Sequence, residues 1–171
     1  VILFIQIYPS FGKEKLKLNY DNIEVLLEGD FIQGGLVKGK TNPIIEIQFK
    51  DKLLRKNSEG YFIIGFWRDH PDIAYLSLKP KKKWLKKSIP VKKRIYKTQA
   101  INGLQKKMVT PPKSFYDRIK KENKSIKQIR ALDSNLDFIF QKFTWPTKGI
   151  ISGVFGSQRI LNGIPKRPHY G

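Results

Sequence analysis

Two histidines carry most of the chemistry that this 171-residue sequence can offer. His169 stands in Pro168-His169-Tyr170-Gly171, and His70 in Arg68-Asp69-His70-Pro71-Asp72. An imidazole can ligate a metal, move a proton or simply fill a turn, and its neighbours decide which. Around His70 the carboxylates of Asp69 and Asp72 would permit a metal cluster. A histidine before a proline, between two strands, is more simply an ordinary turn residue. No cysteine is present, which excludes disulfides, thiol nucleophiles and Cys-ligated zinc. No Ser/His/Asp set, phosphate-cradling loop or carboxylate pair stands out.

The elements that must position these groups read mainly as β. Ile23, Val25 and Leu27 alternate with polar or outward positions. Ile45, Ile47 and Phe49 share one face, with Ile44, Glu46 and Gln48 on the other. Such alternation predicts half-buried strands. Turn signals recur at Gly34-Gly35, Asn42-Pro43, Ser58 to Gly60 and His70-Pro71, a spacing that suits a small antiparallel sandwich. Residues 79–94 are dense in lysine around Trp84. They could be a basic stripe for nucleic acid, but a solvated hairpin whose lysines deter edge pairing is the simpler reading.

Residues 97–113 read as a linker, closing on Val109-Thr110-Pro111-Pro112-Lys113. A helix over 114–132 follows, with Ser114 as its N-cap and Asp117 completing a box-like start. Phe115, Ile119, Ile126 and Ile129 fall on one face of it, and Lys120, Lys121, Lys124 and Lys127 on the other. That apolar face is expected to pack, or else to hold a neighbouring domain. The last segment, 143–171, turns rich in glycine and aromatic residues. Thr147-Lys148-Gly149 looks like a turn into a short strand from Ile150 to Phe155.

This last segment reads F-x-W-P…G-x-I-S-G-x-F-G-x-x-R…P-H-Y-G, with Trp145-Pro146, Gly149, Ile151, Ser152, Phe155-Gly156, Arg159 and His169-Tyr170-Gly171 in order. It resembles the opening of the catalytic domain of lysostaphin/LytM-type zinc metallopeptidases. There a Trp-Pro pair leads into G-x-I-(S/T)-x-x-F-G-x-R, and a loop runs to a His-x-Gly-x-Asp motif. One extra residue lies between Gly156 and Arg159. The resemblance implies that His169 is a zinc ligand. The other ligands would be an Asp two positions past Gly171 and the second His of a distant His-x-His. It also implies peptidoglycan cross-links as substrate and the first strands of a β-rich peptidase domain over 143–171. Arg159 is then a candidate for substrate binding or for holding the loop. The region before it is similar to the N-terminal parts of some Gram-negative envelope members, which leaves room for an envelope regulatory protein as partner. Only one zinc ligand falls within these residues, so the chain by itself is expected to lack peptidase activity.

The chain carries 34 Lys and Arg against 14 Asp and Glu, a net charge of +20 that attracts anions of any kind. Val1 to Ile7 is a compact apolar run, and Ser10 and Gly12 have the spacing of a signal-peptidase site before Lys13. Residues 1–12 therefore read as a signal-peptide remnant, which points to the periplasm or cell envelope. The expected order is this remnant, a sandwich-like domain over 20–95, a linker and helix over 96–142, and the peptidase start over 143–171. A non-enzymatic envelope binding or regulatory module of the same family is the alternative. A nucleic-acid binder would rest on charge alone, and a secretory start argues against it, so no nucleic acid is expected as partner.

Overall fold

The computed structural model describes residues 14–134, 137–141, 144, 147–151 and 153–170. The signal-peptide reading of 1–12, and Phe143, Trp145, Pro146, Ser152 and Gly171 of the terminal motif, lie outside the described residues. The fold is mainly β, with eleven strands in three sheets among the described residues. The chain divides into two compact units between Arg94 and Ile95.

The first unit holds β1 (Glu14–Tyr20), β2 (Ile23–Gly29), β3 (Leu36–Asn42), β4 (Glu46–Phe49), β5 (Lys52–Leu53), β6 (Tyr61–Gly65), β7 (Ile73–Lys79) and β8 (Leu85–Pro90). One sheet runs β1-β2-β3-β6 and the other β5-β4-β7-β8, with every pairing antiparallel. Period-two side chains turn Val25, Leu27, Val37, Phe62 and Ile64 of the first sheet inward. Ile47, Phe49, Leu76, Leu78 and Ile89 of the second sheet are buried with them in one core. This is the sandwich expected from the alternation. Each such side chain contributes about 1.5–3 kcal/mol through removal of apolar surface from water. Gly39 sits opposite Phe62 in the β3–β6 register, and the Phe62 ring fills the space where a Cβ on Gly39 would stand.

Two connections shape the surface of this unit. Lys50 and Asp51 join β4 to β5 with φ of 52° and 58°, both left-handed. A two-residue turn of that hand matches the twist of the flanking strands. The β7–β8 hairpin carries Lys81, Lys82 and Lys83 exposed at its tip. Where β7 enters that tip, Lys79 pairs with Glu46 at 3.0 Å.

The second unit holds β9 (Thr98–Ile101), α1 (Lys106–Val109), α2 (Tyr116–Arg130), β10 (Gln158–Leu161) and β11 (Ile164–Lys166). Its sheet is ordered β11-β10-β9, with β9 parallel to β10 and β11 antiparallel to it. Four sequence expectations change here. Thr98–Ile101 is not linker but a strand, because it finds a ladder partner in Gln158–Leu161 far along the chain. Ile150, Ile151 and residues 153–155 form no strand; the ladder begins only at Gln158, after the left-handed Gly156. The α-helix starts at Tyr116 behind a 3₁₀ turn over Lys113–Phe115, with no side-chain cap, so Ser114 does not serve as the N-cap. The apolar face of α2 does not pack either: Phe115, Ile119, Ile126 and Ile129 are all exposed. No helix among the described residues is long and apolar enough to cross a membrane.

Candidate functional site

The hairpin β10–β11 is the scaffold of the site. Its turn is Asn162-Gly163, with φ of 48° and 78°. Both signs are positive, as the tightest hairpin turn requires, and Asn-Gly is the pair that adopts it at least cost. Asn162 also ties the hairpin down. Its side-chain oxygen accepts from the Leu104 N–H at 3.0 Å, and its Nδ2 donates to the Leu104 carbonyl at 2.7 Å. At the other end Lys166 Nζ donates to the Val109 carbonyl at 2.6 Å. Gln158 Nε2 closes the strand pair by donating to the Lys166 carbonyl at 2.6 Å.

His169 is held through its backbone. Its N–H donates to the Ser157 carbonyl at 2.9 Å, and its own carbonyl accepts from the Gly156 N–H at 2.6 Å. Ser157 is buried. Gly156 is required twice at this point: its φ is +83°, and the ring of Tyr96 occupies the place of any Cβ. The backbone of His169 is therefore held beside the entry to β10 by its bonds to Ser157 and Gly156. On either side of this segment in sequence, Phe155 and Tyr170 meet each other edge to face, with ring centroids 6.1 Å apart.

Arg159 and His169 converge on Gly153. A Cβ built on Gly153 would lie 3.4 Å from Arg159 Nη2 and 3.9 Å from His169 Nε2. Both are ordinary van der Waals distances, so Gly153 faces the two side chains directly. Arg159 Nε is buried and has no hydrogen-bond partner. A buried donor without an acceptor among the described residues is costly, and a carboxylate or carbonyl is the group that fits the planar fork of the partly exposed guanidinium. The sequence brought out both residues of this corner. It did not bring out Tyr96 or Asn162, although Asn-Gly between two apolar pairs is a hairpin signal that was there to be read.

No family model matches the chain, and no curated protein is significantly similar to it.

His70 belongs to the first unit and closes the turn from Trp67 as expected, its N–H donating to the Trp67 carbonyl at 3.2 Å, with its ring packed as well. It is buried, 3% exposed, with its ring centroid 3.8 Å from that of Trp67 and 5.2 Å from that of Phe66. Its Nδ1 donates to the Pro71 carbonyl at 2.8 Å. The neighbouring carboxylates are engaged elsewhere: Asp69 with Arg68 at 2.7 Å, and Asp72 with Lys93 at 3.7 Å. His70 is thus a packing residue within an aromatic cluster.

Zinc implied by the resemblance can be tested against the donors of the His169 corner. A catalytic zinc site needs about three protein ligands and an open position. Among the described residues no three of His, Asp or Glu come together, and the Arg159 guanidinium that shares the corner opposes a dication. These residues alone do not fit the metal, and no catalytic step can be built on them. The corner presents one imidazole and one guanidinium, the latter with its Nε unpartnered among the described residues, beside Gly153.

Proposed function

We propose that the chain is part of a secreted zinc metalloendopeptidase of the periplasm or cell envelope that hydrolyses peptide cross-links of peptidoglycan. His169 is one metal ligand in this reading and Arg159 receives a carboxylate or carbonyl of the substrate. The observation that supports it is the convergence of His169 and Arg159 over Gly153, with Arg159 Nε buried and unanswered. The reading requires the remaining ligands from residues that follow Gly171, since the described residues supply only one. It also carries the sequence resemblance of 143–171, whose Phe155-Gly156, Arg159 and His169 form this corner.

Two measurements decide. The coding sequence past Gly171 is expected to place an Asp at the second position and a His-x-His later. A product that includes them should clear a cell-wall zymogram, lose clearing with a chelator, and lose it with His169→Ala. The 171-residue chain alone should not clear. A continuation lacking the Asp and the paired histidines removes the hydrolytic reading and leaves a non-enzymatic envelope-binding or regulatory module.

A further inference from the structure

The first unit carries a groove of about 520 Å³ that the His169 corner does not use. It lies where the β4–β5 turn and the β6–β7 loop meet the outer face of β7. Two lysine–aromatic pairs face it. Lys50 Nζ stands 3.1 Å from the Trp67 ring centroid, and Lys86 Nζ 4.1 Å from that of Tyr75. Trp67 is 40% exposed and Tyr75 48%, so part of each ring stays accessible beside its ammonium, although the His70 ring also lies against Trp67 at 3.8 Å between centroids. Neither lysine has a carboxylate partner among the described residues. Burial, and then the charge of Lys52, lower the Lys50 ammonium below the ordinary lysine range. A cation in that position gains from an incoming anion. Each ammonium has three donors and lends one face to its ring, which leaves N–H groups for a ligand.

The rest of the lining selects among anions. The exposed Ile73 and Pro71 offer apolar surface beside the rings. Asp51 and Asp72 stand on the same groove and would repel a continuous polyanion. One face of each ring is capped by an ammonium and the Trp67 ring also meets that of His70, which leaves little stacking surface for nucleic-acid bases. A groove of this size holds a ligand of a few residues. Cations and acids on one apolar floor suit an amphoteric chain, with carboxylates for the lysines and amide or amine groups for the aspartates.

We propose that the Lys50–Trp67–Tyr75–Lys86 groove is a binding site for a short, carboxylate-bearing peptide. The site stands on the geometry of the first unit and is independent of the reading of His169. The test uses the whole 171-residue chain, labelled with ¹⁵N and titrated with a tetrapeptide holding one Glu and a free C-terminus. Amide shifts should concentrate at Lys50, Asp51, Trp67 and Tyr75, and should vanish when both carboxylates are amidated. Lys50→Asn, which keeps a residue tolerant of positive φ, and Lys86→Gln should each weaken binding about tenfold, as loss of one charged hydrogen bond implies. Lys120→Gln on α2 should leave it unchanged, and well-dispersed spectra of each variant certify folding. A D-Glu version distinguishes a cell-wall stem from an ordinary protein segment, and binding of either supports the site. No shift at the groove, equal binding of the amidated peptide, or displacement of the peptide from the groove by a ten-residue oligothymidylate overturns it.

Discussion

At Gly156 the φ is +83° and the Tyr96 ring stands in the path of a Cβ. Gly156→Ala therefore combines backbone strain with overpacking, at about 2 kcal/mol or more. The expected outcome is local: the imidazole resonances of His169 shift because its carbonyl loses the Gly156 N–H, while the methyl spectrum of the sandwich stays in place. Unchanged His169 signals would disprove the linkage. Lys50 makes a prediction of different sign. Its folded-state pKa lies below its unfolded value, so the unfolded chain binds more protons in the window between the two, and stability rises with pH there. The same shift leaves more free amine at mildly alkaline pH. Lys50 should be acylated ahead of the exposed lysines 81–83, as read by peptide mapping, and the Glu tetrapeptide should slow that acylation. Acylation no faster than at Lys81 would contradict the lowered value.

Elements that bury one face write their register plainly, and elements held by distant partners do not. Ile45, Ile47 and Phe49 were legible as an inward row because a half-buried strand alternates with period two, and all three are buried. The turns at Gly34-Gly35 and Ser58 to Gly60 were legible for the same reason that glycine tolerates them. β9 was not. Its four residues, Thr98–Ile101, show no apolar row, and its place is set by backbone bonds to β10. Nor was the shortfall of α2, whose apolar stripe predicts burial that only a partner can provide. His169 and Arg159 were visible as residue types in a motif, whereas their meeting over Gly153 depends on the hairpin and could not be read. The tightest element-scale test is Gly39. Its Cβ space is filled by Phe62, so Gly39→Ala must push a buried aromatic ring out of its rotamer. We expect a loss of about 1–3 kcal/mol in urea unfolding with m unchanged. Phe62→Ala at the same contact should cost about 3–5 kcal/mol. The double variant should cost less than the sum, since the alanine at 39 has room once the ring is gone.

Across the whole molecule the buried apolar residues are distributed very unevenly. The hydrophobic core cluster runs from Ile23 to Val91 and lies entirely in the first unit. In the second unit Val109 is the one fully buried apolar side chain among the described residues. Ile119, Ile126, Ile129, Leu132, Ile150, Val154 and Ile164 stay exposed there. Burial of apolar surface is the main favourable term against chain entropy, so the two units cannot have equal stability. The hydrogen bonds of β9, β10 and β11 persist with little beneath them, while those of β2, β3 and β7 sit over a packed core. Hydrogen exchange should therefore resolve two classes of amide. Amides of Val25, Leu27, Val37 and Leu76 should exchange only through global opening, and those of Gln158 to Leu161 through local opening at far smaller free energy. The gap should persist in Lys50→Asn, which touches only the peptide groove, and should narrow in Phe62→Ala, which weakens the sandwich. Equal protection of Ile160 and Leu76 would mean that the second unit draws stability from a source other than burial, and the asymmetry of the core would then have no energetic consequence.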